Sequence, residues 1–207
     1  MSDRPLSELN TTENLEKLLD ELGEHPERIE DVRARVEEIF SEDRTVMILD
    51  MSGFTRMTHQ GQLISYLLMI NQMKRLALPC VEAAGGILVK ADHDNLTCIF
   101  DSVDDAIRAS TEITERLESA NVILPSDREL YVSIGIGHGR ILNVANEDIY
   151  GDEVNLASKL GEDIAEQGDI LLTTSAFGQL SAPPETARKE TLSISGIRAE
   201  FYRINPS

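Results

Sequence analysis

The chain is poor in cysteine and poor in positive charge. Its two cysteines, Cys80 and Cys98, form neither a CxxC pair nor a disulfide framework, which fits a reducing compartment. Cys98 lies in an apolar run and reads as a small buried hydrophobe rather than a nucleophile. The four histidines, His25, His59, His93 and His138, have no zinc-ligand spacing and read as surface or turn residues. Lys and Arg number 19 against 37 Asp and Glu, a formal charge of -18. Nucleic acids and anionic membranes are held through Lys and Arg, so neither is an expected partner. A small anionic substrate stays open, because a local cluster and a metal can reverse the field inside one cleft. No apolar stretch approaches the ~20 residues of a membrane span, and the N-terminus lacks a signal-peptide pattern. The expected location is cytoplasmic.

A length of 207 residues suits one ordinary domain with room for an extra element. Met1–Asn10 is polar. Leu15, Leu18, Leu19 and Leu22 then follow at helical spacing, after a Thr11/Thr12 cap and before Gly23. His25-Pro26 opens a second helix carrying Ile29, Val32, Val36, Ile39 and Phe40. The apolar seam is shorter than the ~3–4 heptads of a coiled coil, so a hairpin packed on the domain is expected over a dimerising or signal-relaying segment. This places a helical segment at 1–43 and the main domain at 44–207.

The domain opens with an apolar strand running from Thr45 into Asp50. A helix is expected over Gly61–Ala84, kinked or interrupted at Pro79. Strands follow at Ile87–Lys90 and Leu96–Phe100 around a polar turn, Ala91–Asn95. Val103–Ala120 reads as a helix. Leu130–Ile136 and Arg140–Val144 read as strands flanking Gly137-His138-Gly139. Gly151–Glu166 reads as a third helix, Asp169–Thr173 as a strand, and Leu192–Ile194 with Glu200–Ile204 as a closing hairpin. The fold class is therefore α+β. Its core has the ferredoxin-like βαββαβ order, with an αβ-plus-hairpin extension and a helical hairpin in front.

Chemistry gathers around TVMILDMSGFT, Thr45–Thr55. A carboxylate ending a buried strand costs several kcal/mol unless cations or hydrogen bonds neutralise it. The small turn Ser52-Gly53-Phe54-Thr55 can aim backbone N–H groups at an anion. A strand-ending Asp is, however, more often a helix cap than a metal ligand. Antiparallel packing would bring Asp94, in the turn between the next two strands, toward Asp50. Two such carboxylates repel unless they share divalent cations. Lys90 lies four residues before Asp94, and Asp148 and Asn155 flank Tyr150-Gly151-Asp152. Asn155 and Lys159 share a helical face. Singly, each has an ordinary reading: an exposed strand lysine, a turn opener, a solvated helix face.

ILDMSGFT, GGILVKADHDNLTCIF, GIGHG and DIYGDEVNLASKL together resemble, in order and spacing, the successive blocks of the class III adenylate/guanylate cyclase catalytic domain. The similarity covers roughly Arg44 to Ile204. The resemblance implies two divalent cations per site, Mg²⁺ or Mn²⁺, held by Asp50 and Asp94 with the Met51 carbonyl as a further ligand. It implies a triphosphate cradle at Ser52, Gly53, Phe54 and Thr55. Lys90 and Asp148 match the adenine-selecting pair, Asn155 the ribose-orienting residue, and Lys159 the transition-state position. The implied assembly is a head-to-tail homodimer with sites shared between chains, and the implied reaction converts ATP to 3′,5′-cyclic AMP and pyrophosphate.

Three positions depart from the family pattern. Lys159 replaces an Arg, keeping charge but losing the planar two-pronged donor. His93 replaces the Gly before the second Asp, a cost if that turn needs positive φ. The closing hairpin lacks a Lys near Gly196, where Arg198 is the substitute. Lys159 and His93 favour one alternative, a catalytically silent nucleotide-binding or regulatory module; a pyrimidine nucleotide cyclase is a further alternative, because base choice by a small pocket is easily altered.

Overall fold

A computed structural model describes residues 5–51, 63–124, 129–194 and 197–204, with no side-chain description for 192–199. After a short first turn (α1, Leu6–Leu9), α2 (Thr12–Glu24) and α3 (Ile29–Phe40) form the expected hairpin. The Thr11 hydroxyl caps α2 by accepting from the Asn14 amide at 3.2 Å. Leu18, Val32 and Phe40 bury themselves with Val144 in a small cluster of their own. The Asn10 side chain ties the leader down, donating to the Asn143 carbonyl at 3.0 Å and accepting from the Ala145 amide at 2.9 Å.

The main domain follows as β1 (Ser41–Met51), α4 (Leu63–Ala83), β2 (Ile87–Asp92), β3 (Asn95–Phe100), α5 (Val103–Asn121) and β4 (Val132–Val144). Then come β5 (Asp148–Tyr150), α6 (Asp152–Ser158), β6 (Ile170–Thr173), α7 (Thr174–Phe177), β7 (Arg188–Ile194) and β8 (Ile197–Ile204). The described strands form one sheet in the order β2-β3-β1-β4-β6-β8-β7, with β5 paired to β4. The first four strands in that order are the ferredoxin-like core. β5, α6, β6, α7 and the β7–β8 hairpin are its extension. Alternation along β1 divides the core: Met47, Leu49 and Met51 face α4 and α5, while Val46 and Ile48 face α6. β2 and β7 are the open edges, and β2 is exposed along nearly its whole length. Among the described residues, no helix is long and apolar enough to cross a membrane.

Four expectations are corrected. α4 runs unbroken through Pro79, because Met73, Ala77, Cys80 and Val81 hold it in the core on both sides of the lost hydrogen bond. Gly137-His138-Gly139 does not separate two strands. β4 is continuous there, and the three residues pair with Val46, Thr45 and Arg44. The glycines serve close approach instead: a Cβ on Gly137 would lie 2.5 Å from the Glu153 carbonyl oxygen. The polar turn shrinks to His93-Asp94, since β2 extends to Asp92 and β3 begins at Asn95. The third helix is α-helical only to Ser158. It continues as a π turn over Lys159–Ile164, where the Ala165 amide reaches the Leu160 carbonyl at 2.8 Å.

That wide turn has a packing cause. Gly135 on β4 and Gly161 in the turn meet backbone to backbone. A Cβ on Gly161 would sit 2.9 Å from both the Gly135 nitrogen and the Ile48 carbonyl oxygen. The contact presses Gly161 onto the centre of the sheet and brings the next two residues, Glu162 and Asp163, toward the end of β1. Cys98 is fully buried, as its surroundings in the sequence imply, and burial pushes its thiol up to about 12.

Candidate active site

Asp50 is the last polar residue of β1 before Met51, half-buried, on the α6 face of the sheet. The ladder registers it with Asn95 of β3 on one side and Ser133 of β4 on the other. Facing side chains in an antiparallel ladder share one side of the sheet, so these three form a polar row at its end. Burial pushes the Asp50 carboxyl up to about 7, and the charges of Asp94, Glu162 and Asp163 push the same way. Asp50 and Asp94 are thus brought together, as antiparallel packing requires.

Asp94 reaches this place through a strained turn. His93 takes φ 50°, the left-handed conformation that favours glycine. Asp94 also has a partner that composition and spacing did not point to: the Tyr66 hydroxyl of α4 donates to its carboxylate. Tyr66 is 6% exposed, and burial together with Asp94 and Asp50 raises its hydroxyl to about 12. The hydroxyl is therefore a donor at any physiological pH.

Among the described residues, no three His, Cys, Asp or Glu side chains gather into a metal-holding group. Two carboxylates nevertheless suit Mg²⁺, which keeps several waters and takes substrate phosphates rather than an all-protein cage. The donor set agrees with a cation: Asp50 is disfavoured as a bare anion, and the buried Asn95 side-chain oxygen has no hydrogen-bond partner. Met51 is buried in the core, so only its backbone is free to serve the site. Ser52, Gly53, Phe54 and Thr55 lie outside the described residues, as does the side chain of Arg198 in β8.

The remaining candidates lie on other elements. Lys90 stands on edge strand β2 with its ammonium 3.4 Å from Asp92. Asp148 opens β5, which comes close to β2 in the same chain. The Asp148 carboxylate accepts from the Ile149 amide at 3.0 Å and from the Tyr150 hydroxyl at 2.9 Å. Asn155 is exposed on α6, and Lys159 one turn later is ion-paired with Asp163. Asp163 thus touches Lys159 while its charge opposes that of Asp50.

The start of α6 is anchored by Glu153. Its carboxylate accepts from the His138 amide at 3.2 Å and from the Thr173 hydroxyl at 2.7 Å. The Ser175 hydroxyl donates to the His138 carbonyl at 2.8 Å, and the Thr45 hydroxyl lies 2.9 Å from the His138 ring. These bonds hold α6, β4 and β6 together at the end opposite the Gly135–Gly161 contact.

Comparison with known proteins agrees with this architecture. The catalytic core of a rhodopsin-guanylyl cyclase with converted specificity, in complex with ATPalphaS, is similar over 79% of this chain and 97% of its own, at 17% identity and a TM-score of 0.67. An adenylate/guanylate cyclase/hydrolase from Silicibacter pomeroyi is similar over 81% of this chain and 98% of its own, at 24% identity and a TM-score of 0.67. Both likenesses establish the fold. In sequence, "Putative adenylate cyclase 3" of Rhizobium meliloti (strain 1021) is 25% identical over 128 residues, 62% of this chain. The chain spans only 22% of that relative's length. The family model of the adenylate and guanylate cyclase catalytic domain matches residues 36–205, from the end of α3 through β8. The chain belongs to the adenylate and guanylate cyclase catalytic domain family.

Proposed function

We propose that the protein is an adenylate cyclase, forming 3′,5′-cyclic AMP and pyrophosphate from ATP at a site shared by two copies of the chain. The observation that carries the reading is the convergence of Asp50 and Asp94 at one end of the sheet, with Asp50 raised to about 7. A protein that needed only a helix cap there would gain nothing from a second carboxylate beside the first. Two divalent cations bound by this pair would neutralise the triphosphate and make the ribose 3′-hydroxyl easier to ionise.

The rest is work for the chain's own side chains. Lys90 donates to adenine N1, and Asp148 accepts from the N6 amino group. The approach of β2 and β5 within one chain supports treating them as a pair. Asn155 orients the ribose, and Lys159 sets its positive charge where the α-phosphate gains negative charge. To do so Lys159 exchanges its bond with Asp163 for one with the nucleotide. Ser52, Gly53, Phe54, Thr55 and Arg198 are assigned to the triphosphate by their place in the sequence.

The shared site is supported by what the chain leaves uncovered. Leu63, Ile64, Leu67 and Leu68 on the first turns of α4 stay exposed, Ile64 to 78%, as do Ile87 and Leu88 on β2 and Leu156 beside Asn155. Apolar side chains in such number call for a partner surface, and a second copy supplies it. Mixing inactive Asp50→Ala chains with inactive Asn155→Ala chains is expected to restore activity, because each mixed pair holds one complete site. Absence of rescue, with subunit exchange demonstrated by mass spectrometry, overturns the shared site.

A second reading, a catalytically silent nucleotide-binding module, is favoured by one observation: Lys159 stands in the transition-state position and is already paired with Asp163. The test that separates the readings is product analysis by mass spectrometry after incubation with ATP, GTP, CTP and UTP plus Mn²⁺. The expected product is cyclic AMP alone, lost in Asp94→Ala. A cyclic pyrimidine product keeps the metal assignment and overturns the base assignment. Binding without any product identifies the silent module.

A further inference from the structure

We infer that Glu153 is a positioning residue for the proposed reaction: its carboxylate sets the roll of α6 on the sheet and so decides where Asn155 and Lys159 stand. This rests on the roles proposed above for those two residues, and it adds one that acts through them.

α6 cannot hold its own place. It is α-helical over only 7 residues, and its N-cap, Gly151, makes no side-chain capping bond. So short a helix is unstable by itself in water, and its orientation comes from what it packs against. Spacing divides its surface. Glu153, Ala157 and Gly161 recur every fourth residue along the side that meets the sheet, where Ala157 is fully buried with its carbonyl against Gly135. Asn155 comes two residues after Glu153, about 200° further round the axis, and is exposed. Lys159 follows on the Asn155 side one turn later. Any roll of the helix on the sheet therefore swings both.

The Gly135–Gly161 contact seats one end by close approach of backbone. At the other end, the Glu153 side chain crosses β4 between Gly137 and Gly139. A Cβ on Gly139 would lie 3.0 Å from its Cγ, and one on Gly137 3.0 Å from its Oε2. There Oε2 accepts from the His138 amide at 3.2 Å and from the Thr173 hydroxyl at 2.7 Å. The pairing of β4 with β6 ends at Ile136 and Leu172, so the carboxylate takes the bond that a longer β6 would make with His138. Thr173 is buried, and its hydroxyl oxygen also accepts from the Ala176 amide at 3.1 Å, which leaves its one hydrogen for Glu153. Two donors from two strands meeting on one oxygen fix a direction, which a single bond would not. Without the carboxylate the helix is free to pivot about its glycine contact, and Asn155, nearer the released end, moves further than Lys159. A misplacement of about 1 Å at a reacting centre costs up to ~10²-fold in rate.

The test is steady-state formation of cyclic AMP with Mn²⁺ by the full chain and by Glu153→Ala, Glu153→Asp, Glu153→Gln and Asn155→Ala. Turnover is expressed per site that binds 3′-deoxy-ATP in calorimetry, a nucleotide without the attacking hydroxyl, so unfolded chains do not enter. Glu153→Ala and Glu153→Asp are expected to lower kcat about 10- to 100-fold with KM changed less than about threefold, because base and metals are held by other elements. Glu153→Asp keeps the charge but withdraws it by one methylene, and it carries the test alone where Glu153→Ala does not fold. Glu153→Gln keeps an oxygen that can accept both bonds, and its kcat is expected within about threefold of the native value. A glutamate that served stability alone would lower the number of binding sites and leave kcat per site unchanged, and that result overturns the inference. A Glu153→Gln variant as slow as Glu153→Ala overturns it too. If Asn155→Ala is slow while Glu153→Ala and Glu153→Asp keep the native kcat, the role of Asn155 stands and that of Glu153 falls. If Asn155→Ala matches the native chain, or the native chain forms no cyclic AMP, both fall.

Discussion

Replacing Asp50 with asparagine is expected to abolish cyclase turnover, by about 10³-fold or more, while making the metal-free protein more stable at neutral pH. The two effects share one cause. Asp50 sits at a half-buried strand end, close to the charges of Asp94, Glu162 and Asp163, and its carboxyl is raised from 3.8 to about 7. Between those values the folded chain keeps a proton that the unfolded chain has released. The stability of the metal-free protein therefore falls as pH climbs from ~4 to ~7, and levels off above. The penalty is on the order of 2 kcal/mol once partial exposure is allowed for. Thermal melts in chelator at ~pH 5 and ~pH 7.5 check it, with the native chain losing stability at the higher pH and Asp50→Asn losing less. Added Mn²⁺ should stabilise the native chain at ~pH 7.5 and leave the variant nearly unchanged. A native chain and a variant that respond identically to pH and to Mn²⁺ would remove Asp50 from the metal site.

The second large effect belongs to a residue with no side chain. Gly135→Ala is expected to destabilise the protein by about 3 kcal/mol or more, read as a shift in the urea midpoint. Its new Cβ would lie 2.5 Å from the Gly161 nitrogen, and closer still to the Ala157 carbonyl oxygen. These are backbone atoms, so no rotamer change relieves the clash. The helix must lift off the sheet, carrying Asn155 and Lys159 with it. Gly23→Ala serves as the control, because a Cβ there meets nothing within 4 Å. In helix α2 it should be neutral or stabilising by about 0.5 kcal/mol. Equal behaviour of the two variants would show that the Gly135–Gly161 contact is looser than its geometry states.

Much of this architecture is legible in the residues. Alternating or continuous apolar runs mark β1, β3 and β6, and helical spacing marks α2, α3 and α5. The approach of Asp94 to Asp50 follows from antiparallel order alone. The misplaced features are those decided by contacts distant in sequence. Gly137 and Gly139 look like turn residues because glycine permits turns, yet here they admit α6 to the sheet. Pro79 looks like a break because its lost bond is local, while the packing that outweighs it is not. Tyr66 is hidden within an apolar helix pattern, and nothing in the spacing shows that its hydroxyl reaches Asp94. Tyr150 was legible in principle, since two residues apart on a strand means one face. Glu153 is hidden because its partners, His138 and Thr173, come from two other strands.

The two open edges of the sheet are guarded unequally. β7 presents Arg188, Lys189 and Glu190 along its first half, charges that discourage a foreign strand from adding on. β2 begins instead with Ile87, Leu88 and Val89, and its first charge comes only at Lys90. An uncovered chain therefore carries one protected margin and one that invites strand addition. Crowding by unfolded chains would endanger the β2 side first, so whatever covers that margin also protects the protein from aggregation.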